Sequence, residues 1–339
     1  MPQTRPHSHR LCTAPMMDWS DRHCRFFFRQ LSPHAVVYTE MVTTGALIHG
    51  NVERHLRFHP LEHPVALQLG GSDPADLARC AALGRGYGYD EVNLNCGCPS
   101  ERVQHGAFGA CLMAEPELVA DCVKAMQDAT AVPITVKHRL GIDSIQDYDF
   151  VRRFVEVVAN AGCKTFLVHS RNAILKGLSP KDNRAIPPLK YDYVYRLKRE
   201  FPELGIVING GVESLQAIAQ HLQRVDGVMI GRAAYHDPYV LAATEAWICG
   251  KPPPARAQIA QAMFEYACEE VARGTSLRAV TRHMLGLYHG QPNARLWRRM
   301  LSDADMLAAN RPELLLQAMR ATEIAPVDFA AVIAEPLPT

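Results

Sequence analysis

The chain has 339 residues, 48% of them hydrophobic and 21% charged, with a formal net charge of +1. That is ordinary for a globular protein long enough for one large α/β domain and a smaller one. The near-neutral balance excludes a global basic field, so any nucleic-acid surface must be local. Ten cysteines with no CxxC pair and no zinc-finger spacing read as reduced thiols of a cytoplasmic enzyme. No apolar run reaches the ~20 residues that span a bilayer.

Residues 1–10 are polar and lack an apolar signal core, so they read as a flexible leader. Short apolar runs then recur at 11–14, 35–38, 65–69, 91–94, 134–137, 165–169, 206–209 and 227–230, each followed by helix-like sequence. Helices are expected over 73–83, 116–129, 147–161, 190–201 and 214–223, several opening on an N-cap type such as Asp73 or Ser214. Eight strands alternating with helices predict a (β/α)8 TIM barrel, residues 11–248. Pro252-Pro253-Pro254 reads as a linker, and helical patterns at 259–272, 276–287 and 293–300 predict a small all-helical domain, residues 249–330.

In such a barrel the strand C-termini carry the chemistry. Here they end in Ala14-Pro15-Met16-Met17, Gln68-Leu69-Gly70-Gly71, Asn95-Cys96-Gly97-Cys98, Lys137-His138-Arg139, His169-Ser170-Arg171, Asn209-Gly210-Gly211 and Gly231-Arg232. Gly210 and Gly211 let backbone amides approach an anion, and Arg232 adds a charged contact, so the last two strands read as a phosphate cradle. With an amide at Gln68, cations at Lys137 and His169 and an apolar turn at Pro15, Met16 and Met17, the rim reads as a site for flavin mononucleotide (FMN). Cys98, set between Gly97 and Pro99, reads as a thiol presented to a substrate.

These segments, with Lys137-His138-Arg139-Leu140-Gly141 and Asn209-Gly210-Gly211-Val212, resemble the tRNA-dihydrouridine synthases. The stretch from Gly177 to Arg184 with Ile186-Pro187-Pro188-Leu189 resembles the A-type branch, which acts at positions 20 and 20a of the D-loop. The resemblance implies bound FMN, NADPH as reductant, and reduction of the C5–C6 bond of a uridine in tRNA. Hydride goes from reduced flavin to C6, and Cys98 matches the acid that protonates C5. It also implies that Asn95 holds the target uracil, that Lys137 and His169 touch flavin, and that Asn209, Gly210, Gly211, Gly231 and Arg232 hold its phosphate.

From 271 to 300 there are six arginines and no Asp or Glu. With Trp297 packed inward, Arg295, Arg298 and Arg299 are expected to meet tRNA phosphates. The polar loop 170–188, with Lys181, Asn183 and Arg184, is expected to clamp tRNA phosphates near the extruded target base. No membrane, metal or obligate protein partner is inferred. Two rivals stand beside this reading: a dihydroorotate-dehydrogenase-like flavin barrel acting on a free small molecule, and an RNA-binding barrel without turnover.

Overall fold

The computed structural model describes residues 8–100 and 107–323. Eight strands close in sequence order into a parallel barrel: β1 Leu11–Thr13, β2 Val36–Thr43, β3 Val65–Gly70, β4 Glu91–Cys96, β5 Ile134–His138, β6 Thr165–His169, β7 Gly205–Asn209 and β8 Gly227–Ile230, with β1 pairing both β2 and β8. Parallel neighbours need a crossover, and the helix-patterned stretches supply it. The helices Pro74–Tyr87, Tyr148–Asn160 and Leu215–His221 start where a side chain satisfies an open N–H: Asp73 accepts from Asp76 N, Asp147 from Phe150 N and Ser214 from Ala217 N.

The second strand runs five residues beyond the apolar stretch that predicts it, through Thr39-Glu40-Met41 to Thr43, and its register against β3 shifts between Tyr38 and Met41. Alternation does not mark this part because the backbone leaves regular pairing there.

Residues 1–7 lie outside the described part, but His9 Nε2 lies 2.5 Å from Glu91 Oε2 and His9 O accepts from Cys12 Sγ.

The chain forms two compact units. One comprises described residues up to Arg25 with His34–Gly231; the other comprises Phe26–Pro33 with the described residues from Arg232 on. The division falls after β8, and the proline triplet lies inside the second unit, between the helices Tyr239–Cys249 and Arg256–Ala272. Residues 324–330 of the expected helical domain lie outside the described part. Within the second unit Phe26 stacks on Tyr266 at 3.8 Å, and buried Trp297 donates Nε1–H to Met284 O at 2.8 Å. The helix expected over 276–287 is short, Leu277–Thr281. Beyond it the backbone turns past His236, whose carbonyl lies only 2.5 Å from where a Cβ on Gly286 would stand, so that approach requires glycine. No helix among the described residues is long and apolar enough to cross a membrane.

Candidate functional site

Residues two apart on a strand share a face, which sorts the barrel interior into two halves. Cys12, Ala14, Val36, Tyr38, Ala66, Leu167, Val207 and Met229 form an apolar cluster, with half-buried Met16 packed against it. On β3 to β5 the shared face is polar: Gln68, then Glu91, Asn93 and Asn95, then Thr135 and Lys137. Tyr38 on β2 reaches Glu91 on β4, two strands away, at 2.7 Å, and only a path through the interior joins them.

Strand register brings the predicted rim residues side by side. Asn95 pairs with Lys137 and His169 with Asn209 across neighbouring strands. Asn95 Nδ2 donates to Gln68 Oε1 at 2.8 Å, and Asn95 Oδ1 accepts from the backbone N–H groups of Gly97 (3.1 Å) and Cys98 (2.9 Å). The turn bearing the partly exposed thiol is therefore pinned to the barrel by an amide. Its neighbour Cys96 is fully buried, and burial foremost raises its thiol pKa well above the ordinary value. Lys137 Nζ donates to Asn209 Oδ1 at 3.1 Å, while Asn209 Nδ2 donates to Met229 O at 2.8 Å.

The mouth is strongly cationic. Burial, then the charge of Arg139, pulls the Lys137 ammonium down to about 7, with Arg184 adding and Cys98 opposing. His169 is held well below its ordinary value by burial and then by Arg139, Lys137, Arg171 and Arg184, so its imidazole is neutral at pH 7. His169 Nδ1 is buried without a hydrogen-bond partner among the described residues. Cations gathered this closely around Lys137 and His169 suit an anion.

Gly210 and Gly211 adopt positive φ of 107° and 68°. A Cβ on Gly210 would stand 3.1 Å from the His169 ring, and one on Gly211 would stand 2.6 Å from Leu189 and 2.9 Å from the Tyr191 hydroxyl. Only glycine combines that backbone with that crowding. Pro15 and Met16 are half-buried and Met17 is 57% exposed on the turn after β1. Gly231 is the last residue of the barrel unit, and Arg232 opens the helix Arg232–His236 in the other.

The loop after β6 is closed by Lys190 N–H on Ser170 O at 2.8 Å. Lys181 and Arg184 are exposed on it. Asn183, expected at the nucleotide, is instead fully buried: its amide donates to Ile174 O at 2.8 Å and accepts from Ile174 N at 2.7 Å, which commits it to the loop's own backbone. In the second unit Arg295, Arg298 and Arg299 are exposed on the helix Ala294–Ser302, at spacings of three and four that place them on one face, with Trp297 buried opposite. Arg273 belongs to no acid-free patch, because Glu269 and Glu270 pair with it at 3.2 and 3.1 Å.

Two groups received no role in the strand-end reading. Arg139 is 4% exposed and donates to the carbonyls of Gly97 (3.2 Å), Asn172 (3.4 Å) and Asn183 (2.9 Å). Glu91, Asn93 and Thr135 line the interior below the rim. The alternation Glu91-Val92-Asn93-Leu94-Asn95 carried the signal, polar at every second position of a strand expected to be buried on both faces.

Residues 12–323 match the family model described as dihydrouridine synthase (Dus). The chain is 56% identical over 313 residues to the tRNA-dihydrouridine(20/20a) synthase of Synechocystis sp., covering 92% of this chain and 94% of that one. It is also 56% identical over 318 residues to the enzyme of that name in Xanthomonas campestris, covering 93% and 94%. Among solved structures, a 2-naphthoyl-CoA reductase complex shares the fold with a TM-score of 0.54 at 10% identity, over 72% of this chain and 50% of that one. A family match spanning the barrel and the helical unit, and relatives this similar over nine-tenths of the sequence, mean that the chain belongs to the dihydrouridine synthase family.

Proposed function

We propose that this protein is a cytoplasmic, FMN- and NADPH-dependent enzyme that reduces the C5–C6 bond of uridines 20 and 20a in the D-loop of tRNA. The family match and the activity for which its relatives are named support the class of reaction. The observation that carries the reading to these residues is the partly exposed Cys98, its backbone tied to Asn95 within electrostatic reach of Lys137 and Arg139.

The rim fits FMN. The orphaned His169 Nδ1, the Lys137 ammonium and the second N–H of Gln68 offer polar contacts to a ring. Met16 and Met17 offer an apolar support. Gly210 and Gly211, with Asn209 and Gly231, suit its phosphate. When bound, reduced flavin supplies the hydride that C6 receives. This chain's part is to hold the flipped base with Asn95 and to deliver a proton to C5 from the Cys98 thiol. Lys181 and Arg184 are assigned to the nucleotide's backbone. Asn183 is assigned to shaping the loop that carries them.

Lys137 gives this assignment a measurable pH signature. With its ammonium near 7 in the free protein, Lys137 is mostly neutral at pH 8, and hydrogen-bond acceptors of the ring set beside it favour the charged form. Loading FMN onto flavin-stripped protein should take up as much as about one proton at pH 8 and little at pH 6, read by calorimetry in buffers of differing ionisation enthalpy. No uptake at pH 8 removes Lys137 from the flavin.

The exposed arginine face of the helix Ala294–Ser302 is assigned to tRNA phosphates. Reversing charge at Arg298 and Arg299 together should weaken tRNA binding and lower the slope of log affinity against log salt by about one per arginine. An unchanged slope sinks this docking face.

The decisive test is anaerobic: reduce the purified protein with NADPH, then follow flavin reoxidation with and without tRNA lacking dihydrouridine. Fast reoxidation with dihydrouridine appearing in the tRNA supports the proposal. A flavin indifferent to tRNA points to a small-molecule substrate, and a colourless tRNA binder to a barrel without turnover.

A further inference from the structure

We infer that Asn93, Thr135 and Glu91 form a positioning arm inside the barrel that fixes which way the amides of Gln68 and Asn95 face. The inference rests on the flavin-dependent reading above.

The residues form one head-to-tail chain. Cys98 N–H donates to Asn95 Oδ1 (2.9 Å), Asn95 Nδ2 to Gln68 Oε1 (2.8 Å), Gln68 Nε2 to Asn93 Oδ1 (2.8 Å), Asn93 Nδ2 to Thr135 Oγ1 (2.8 Å), and Thr135 Oγ1 to Glu91 Oε1 (2.5 Å). Both ends are chemically fixed. At the rim stand the backbone N–H groups of Gly97 and Cys98, which only donate. At the base, Glu91 Oε1 accepts from the hydroxyls of both Thr135 and Tyr38. Between those ends, turning any single amide sets N–H against N–H, and turning Asn93 also draws the Thr135 hydroxyl away from Glu91. The five side chains are at most 7% exposed, so water cannot repair a mismatch.

The chain therefore decides what the site receives. Each amide nitrogen has two N–H groups and spends one inside the chain, so Gln68 and Asn95 each keep one N–H. Both therefore offer a donor to acceptor atoms of the ligands. A chain ending on a carboxylate also polarises each donor in turn. Removing the Thr135 hydroxyl leaves Asn93 Nδ2 buried and unpaired. Turning Asn93 to relieve that sets its N–H groups against those of Gln68. Turning Gln68 then opposes Asn95, and turning Asn95 releases the Cys98 backbone.

Thr135→Val removes the hydroxyl at nearly constant volume, and Thr135→Ser retains it. With FMN bound, Thr135→Val should shift the flavin absorption bands and move the midpoint potential to more negative values, because an oriented donor that favours the electron-rich reduced ring is lost. Its kcat should fall about ten-fold with KM for tRNA unchanged, on the scale of one unmade buried hydrogen bond. Thr135→Ser should restore spectrum, potential and kcat. Tyr38→Phe, which removes a hydroxyl from the same Glu91 oxygen but lies outside the chain, should leave the potential where it is. Asn93→Leu cuts the chain one link nearer the rim and should shift the potential as Thr135→Val does, which keeps the test alive if Thr135→Val does not accumulate. Wild-type potential and kcat in Thr135→Val, or a Thr135→Ser as impaired as Thr135→Val, overturns the inference. A wild type that binds no flavin or ignores tRNA fails the parent reading instead, a result visible before any variant is made.

Discussion

Cys98→Ala is expected to yield a folded protein that keeps its flavin and forms dihydrouridine some 10²–10⁴-fold more slowly, the usual contribution of a positioned general acid. Folding should survive because little depends on the thiol. Its Sγ contacts Ser100 Oγ at 3.5 Å, while the bond that pins the turn belongs to the Cys98 backbone and outlasts the substitution. Flavin binding should survive because the cradle assigned to it lies on other strands. The loss should fall on the proton. Uracil is a weak electrophile, and hydride addition at C6 stalls unless C5 is protonated in step with it. Cys98→Ser should not rescue the rate, since a hydroxyl is a far weaker acid than a thiol. Single-turnover oxidation of the reduced flavin by tRNA, with analysis of the product nucleoside, reads the step directly. A rate within a few-fold of wild type would remove Cys98 from the acid role, and Cys96, sealed in the protein interior, offers no substitute.

Much of this site was readable in one dimension because a parallel barrel gathers its strand C-termini on one rim. Once eight apolar runs are counted, the residue at the end of each is a neighbour of the next, and register makes it so for Asn95 with Lys137 and His169 with Asn209. What the sequence hides are links that depend on register below the rim or on backbone leaving regular structure. Thr135 is a residue of no special appearance, yet it joins Asn93 to Glu91 because β4 and β5 pair in one particular offset. His9 reads as leader because composition cannot tell that Glu91 receives it. Arg273 reads as part of a basic zone because its acidic partners stand just upstream of that window. Asn183 reads as a ligand contact because polar loop residues usually face solvent, whereas this one supplies the hydrogen bonds that a compact loop cannot obtain from strands or helices.

Arg139→Met should loosen the rim as a whole. The guanidinium is 4% exposed and ties three separate segments: the turn after β4 through Gly97 O, the start of the loop after β6 through Asn172 O, and the middle of that loop through Asn183 O. Two effects oppose each other. Methionine carries no charge into this buried position, which relieves the desolvation that lowers the Arg139 pKa to about 10. Against that, three carbonyls lose their donor, and each buried carbonyl left unpaired costs about 1–3 kcal/mol. The carbonyls win because three of them lose a buried donor at once, and a net loss of roughly 2–3 kcal/mol in unfolding free energy follows. Arg139→Lys should repair little of it, since one ammonium cannot match a planar fork that spans three acceptors. Urea denaturation reads the global term, and hydrogen exchange across residues 170–190 reads the local one. Unchanged stability with unchanged protection in that loop would show that the three bonds are incidental. Lost protection there at modest global cost, accompanied by a raised KM for tRNA, would instead mark Arg139 as the residue that holds Arg184 and Lys181 where a nucleotide can meet them.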